Sequence, residues 1–137
     1  MKTLLTLTLI IIFQGTSVLM AQDKNTDNEA ALEVYYFHGT KRCPTCLAIE
    51  EETRKTLEES YKDDIQEGKV RLYVLNLEDK ENEALVEKFE IGWSSLILYR
   101  PADGKTSNLT EDGFAYARTK PEQFQKILRE EIDNMMD

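Results

Sequence analysis

The chain has 137 residues, with 26 acidic side chains against 17 basic ones and a formal net charge of −9. That length holds one domain with a modest core. So acidic a balance repels phosphate backbones and argues against a nucleic-acid partner.

Residues 1–21 read as a secretory signal peptide: one early cation (Lys2), an apolar run from Leu4 to Phe13, and a small residue, Ala21, before Gln22. Gln14, Gly15, Thr16 and Ser17 interrupt the run, which disfavours an uncleaved membrane anchor. The protein is therefore expected to be exported, periplasmic or secreted, with no stable membrane insertion after cleavage. Residues 22–30 are polar at first, without apolar periodicity, and read as a flexible leader. The folded domain is expected over 31–137.

Leu32 to His38 is apolar at nearly every position, the pattern of a strand covered on both faces. Gly39 to Arg42 forms a loop, and Cys43-Pro44-Thr45-Cys46 follows. From Pro44 to about Asp64, Ile49, Thr53, Leu57 and Tyr61 recur four apart among charged residues, which predicts an amphipathic helix ending near Gly68. The Glu50-Glu51-Glu52 run reads as a solvated face whose charges also suit the helix start. Val70 to Leu77 reads as a second strand, parallel to the first because a helix joins them. A helix over about 83–90 and a strand over Ser95–Arg100 come next. After the turn Pro101-Ala102-Asp103-Gly104, a last strand is expected at about Gly113–Arg118, antiparallel to the third. Lys120 and Pro121 open a final helix with Phe124, Leu128, Ile132 and Met135 inward. The order β-α-β-α-β-β-α predicts an α/β fold with a four-stranded mixed sheet and helices on both faces.

The two cysteines are the only ones in the chain, and they lie where a strand and a loop meet a helix. A thiolate is the species that attacks a disulfide, and the unpaired N–H groups and positive dipole end of a helix stabilise it. Pro44 suits the first helical turn. Two intervening residues put Cys43 at the exposed mouth of the turn and Cys46 on the buried face with Ile49, Thr53 and Leu57. Closing a four-residue loop stabilises a fold by only about 2 kcal/mol in the chain-entropy model, so this pair suits a redox switch better than a structural staple.

Strand, loop, C-x-x-C and helix over Val34–Ile49, together with the element order, resemble the thioredoxin-like superfamily over roughly residues 31–135. The resemblance implies Cys43 as nucleophile, Cys46 as resolving cysteine, thiol-disulfide exchange with protein thiols or disulfides, and no cofactor beyond the pair. Three departures stand out. The family's cis-proline before the third strand aligns with Ser94, where a cis bond would cost about 3–4 kcal/mol, so a trans bond is expected. Tyr35, Tyr36 and Phe37 occupy the neighbourhood of the buried acid many members carry in the first strand. Arg42, with Lys41 beside it, replaces the tryptophan often found before the first cysteine, and two cations turned toward Cys43 would lower its pKa.

Trp93 and Ser94 are the candidate substrate-binding residues. His38, the only histidine, reads either as a strand-end residue bonded to the loop or as a group tuning the pair. No metal site is expected, since Cys43, Cys46 and His38 would lack a fourth protein ligand. The alternatives to an oxidoreductase are a binding or chaperone-like module with the same fold and a thiolate metal carrier. Without a second C-x-x-C, any redox cycle needs an external donor or acceptor.

Overall fold

The computed structural model describes residues 29–137, so the expected signal peptide and nearly all of the leader lie outside the described residues. In chain order the elements are β1 (Leu32–His38), α1 (Pro44–Ser60), α2 (Lys62–Gln66), β2 (Val70–Asn76), a 3-10 turn (Lys80–Asn82), α3 (Glu83–Lys88), β3 (Ser95–Arg100), β4 (Lys105–Asn108), α4 (Thr110–Tyr116) and α5 (Pro121–Met136). The sheet order is β2-β1-β3-β4. β1 and β2 are parallel, with Val34 opposite Leu72, while β3 runs antiparallel to β1, with Tyr36 opposite Leu96. This is the α/β fold with a four-stranded mixed sheet that the element order predicts.

The two-residue period of β1 divides its side chains between two cores. Val34 and Tyr36 point to one face, where Ile49 and Leu57 of α1 and Phe124, Leu128 and Ile132 of α5 pack. Tyr35 and Phe37 point to the other, beneath Leu85, Val86 and Phe89 of the α3 region. There the Tyr35 ring lies 4.9 Å from Tyr73 and 5.0 Å from Phe89. Such offset and tilted contacts add to the area term for burying large rings.

Two expectations are corrected. The first helix does not run on to Asp64: it stops at Ser60, and α2 begins after Tyr61, whose φ of −128° leaves the helical region. The Tyr61 hydroxyl donates to the Asp133 carboxylate at 2.6 Å and to the Arg129 carbonyl at 3.1 Å. The ring is thus anchored on α5, and the chain bends there.

The last strand is β4 at Lys105–Asn108, and the segment expected as a strand at Gly113–Arg118 lies mostly in α4. The turn settles the first point. Gly104 takes φ +73°, which suits glycine, and the Asp103 carboxylate accepts from the Arg100 guanidinium and from Lys105 N at 3.1 Å. Arg100 therefore faces Lys105 directly, and the hairpin closes within four residues. Leu109, Thr110, Gly113 and Ala117 are buried at helical spacing, and Gly113 meets Ile49 of α1. The small residues around Phe114 and Tyr116 allow the close approach. The order is accordingly β-α-α-β-α-β-β-α-α, with α1, α4 and α5 on one face and α3 on the other.

A Cβ at Gly113 would lie 3.1 Å from Ile49 side-chain carbons, so Gly113→Val should destabilise by about 1–3 kcal/mol in urea unfolding. Gly92→Ala, with open space around its Cβ, should be near neutral. In an edge strand, valine at 113 would be favourable instead. The Asp103 carboxyl is held down to about 2, first by the Arg100 hydrogen bonds and then by the Lys105 amide. A depressed folded pKa gives stability that is complete above the ordinary 3.8 and is lost as pH falls toward about 2. Asp103→Asn should flatten thermal melting against pH across that window.

Candidate redox site

The site is built at the carboxyl end of β1. His38 closes the strand, and its Nδ1 lies 3.0 Å from the Gly39 carbonyl oxygen. The following loop is tied to the end of β2 by Glu78, whose carboxylate accepts from Thr40 N at 3.0 Å and from Thr40 Oγ1 at 2.9 Å. These two bonds, the backbone one foremost, hold the Glu78 carboxyl below its usual range. Asn76 Nδ2 completes the tie by donating to Thr40 Oγ1 at 3.0 Å. Glu78 had no signal in the sequence beyond the turn after β2.

Cys43 is the N-cap of α1, with extended backbone (φ −78°, ψ 158°), and Pro44 occupies the first turn. Cys43 is exposed, whereas Cys46 is only 6% exposed and shares its buried face with Ile49, Thr53 and Leu57. The pair forms a disulfide with Cα atoms 5.0 Å apart. Cys46 N donates to Cys43 Sγ at 3.0 Å. A helix N-terminal N–H aimed at sulfur favours negative charge there once the disulfide opens. No acidic residue lies in the first turn, so nothing on the helix itself opposes that field at its start. Glu50–Glu52 begin too far along to serve the dipole.

Tyr36, one of the three residues in the neighbourhood where the resemblance implies an acid, is fully buried. Its hydroxyl donates to the Cys46 carbonyl at 2.7 Å. Burial raises the phenol pKa, with Arg42 opposing the shift, so this group is a neutral donor. The two cations before Cys43 part company. Lys41 is exposed, while Arg42 turns inward, its guanidinium 5.7 Å from the Tyr36 ring centroid and ion-paired with Glu50. Arg54 Nε binds the same Glu50 carboxylate at 2.9 Å. Burial pushes Glu50 upward, but the hydrogen bonds from Arg54 and Arg42 outweigh it and hold the carboxyl below its usual range.

Phe37 pairs with Ser95, which sets half-buried Ser94 at the sheet end where β1 gives way to the cysteine loop. Every peptide bond among the described residues is trans, including the one before Ser94. Trp93 is 58% exposed and stacks on Phe114 of α4 with centroids 5.3 Å apart. Because α4 packs on α1 at Ile49, this aromatic pair is joined to the cysteine helix through one layer of side chains. Leu47, next to Cys46 and one turn after Cys43, is half exposed. Among the described residues, no group of three or more His, Cys, Asp or Glu is placed to hold a metal ion, and no helix is long and apolar enough to cross a membrane.

No protein-family model matches the chain, and no curated protein matches it. Solved structures do resemble it. Trxlp from Edwardsiella tarda EIB202 is 21% identical, with 72% of this chain and 82% of that one covered and a TM-score of 0.49. The first two thioredoxin domains of Naumovozyma dairenensis Eps1p give 22% identity, 68% and 36% coverage and a TM-score of 0.43. A malarial protein gives 22% identity, 58% and 82% coverage and a TM-score of 0.42.

Tyr36→Phe keeps the ring and removes the bond to the Cys46 carbonyl. It should lower the unfolding free energy of the oxidised protein by about 1 kcal/mol in denaturant titration.

Proposed function

We propose that this chain, a thioredoxin-like fold with a C-x-x-C pair at the start of its first helix, is an exported thiol-disulfide oxidoreductase acting on protein thiols or disulfides. The observation that carries the proposal is the Cys46 N–H directed at Cys43 Sγ on the exposed side of the turn. The reduced pair starts the reaction with the Cys43 thiolate, which attacks one sulfur of a partner disulfide and forms a mixed disulfide. The first partner thiolate leaves and takes a proton from solvent. Cys46, as thiolate after losing its proton, then attacks Cys43 Sγ and expels the second partner thiolate, so two electrons pass to the partner and the Cys43–Cys46 disulfide remains. The reverse sequence oxidises a dithiol.

Trp93 and Ser94 are assigned to partner binding. The exposed indole offers apolar area, and Ser94 lies at the sheet end from which the cysteine loop emerges. A trans bond before Ser94 presents the backbone differently from a cis-proline, and this supports a second reading, a binding module with slow turnover.

Redox titration in graded thiol–disulfide buffers, with alkylation trapping and mass counting, separates the two. A reversible two-electron transition is expected, abolished in Cys43→Ser. A midpoint near about −270 mV would mark a reductant and near about −120 mV an oxidant. Cys46→Ser should accumulate mixed disulfides with partner proteins. A pair locked in one state across the range would leave the binding module.

A further inference from the structure

Arg42 immediately precedes the proposed nucleophile, yet in the disulfide form its charge is directed elsewhere. Its guanidinium reaches Glu50 across the face of Tyr36, with the two ion-paired side chains only 22% and 18% exposed. Glu50 lies seven residues after Cys43, two turns along the same side of α1, so the arginine runs back along that face. The ring beneath it is fixed by the bond from its hydroxyl to the Cys46 carbonyl. Resting on the oxidoreductase reading above, we propose that Glu50 is a positioning residue that sets the reactivity of Cys43 by competing with the Cys43 thiolate for Arg42.

In the disulfide form the cysteines carry no charge, and Arg42 has one anion to pair with. Two electrons and two protons convert the disulfide to two thiols, and loss of the Cys43 proton then creates a second anion on the adjacent residue. One guanidinium now serves two anions. Glu50 tolerates partial loss of Arg42 because Arg54 Nε stays on its carboxylate at 2.9 Å. Arg42, with five donors in a planar fork, suits such sharing. The other charged or titratable groups around the turn are already engaged or exposed. Glu78 is bound by Thr40, His38 meets the Gly39 carbonyl, Lys41 is exposed, and Glu52 accepts from Gln125 of α5. The competition therefore centres on Glu50, Arg42 and Cys43.

The test measures iodoacetamide alkylation of Cys43 in the reduced protein against pH, resolved by mass. Glu50→Gln should move the half-point to lower pH and speed alkylation near about pH 6 by roughly 3- to 10-fold. Arg42→Met should move it to higher pH, and Glu50→Asp, which keeps the charge, should stay closer to wild type than Glu50→Gln. In the Arg42→Met background, Glu50→Gln should have no further effect. An unshifted Glu50→Gln profile, or the same shift with Arg42 removed, overturns the proposal. Should Glu50→Gln fail to fold, Arg42→Met decides alone: a shift to higher pH supports competition and no shift overturns it. Failure of the oxidoreductase reading is distinct, because it appears as an irreversible titration of the wild-type pair whatever the alkylation profiles do.

Discussion

The hydrogen bond from the Tyr36 hydroxyl to the Cys46 carbonyl ties the central strand to the first turn of α1. β1, like β3, has neighbours on both sides, so it is held rigidly along both edges. Tyr36 carries that rigidity to the helix start, and the helix start then aims its free N–H at Cys43. The phenol is fully buried, so its hydroxyl left without a partner would cost more than the bond itself returns. The turn held in this way carries one exposed sulfur and one buried one.

The electrostatics of the site are balanced. A chain of net charge −9 places cations sparingly, and two of its arginines converge on one carboxylate beneath the cysteine turn. With Glu50 held ionised and Tyr36 held neutral, neither is suited to take a proton from Cys46 near neutral pH. The helix terminus, whose first turn carries no acid, supplies one field that acts on Cys43.

The loop before the cysteines is short, and its geometry is imposed from outside. Glu78, after β2, binds both the amide and the hydroxyl of Thr40, and Asn76 at the end of β2 reaches the same hydroxyl. On the other side of β1, the antiparallel β3 brings Ser94 to the same end of the sheet. Parallel and antiparallel neighbours thus converge on the carboxyl end of β1, where connecting segments are free to carry function.

The sequence by itself determined the sheet-forming strands β1, β2 and β3, the position of the cysteine pair at a helix start and the burial of Cys46. Those features are local: a continuous apolar run, a four-residue period and a proline at the first helical position all act within a few residues of one another. It misplaced the fourth strand at Gly113–Arg118, a segment that lies mostly in α4. The deciding facts were that Gly104 closes a hairpin at once and that Gly113 admits Ile49, a residue 64 positions earlier. The break at Tyr61 needed Asp133, the direction of Arg42 needed Glu50 and Tyr36, and the tether on Thr40 needed Glu78. Each depends on two elements meeting in space, where burial and hydrogen bonding outweigh local preference, and only the tertiary structure decided them.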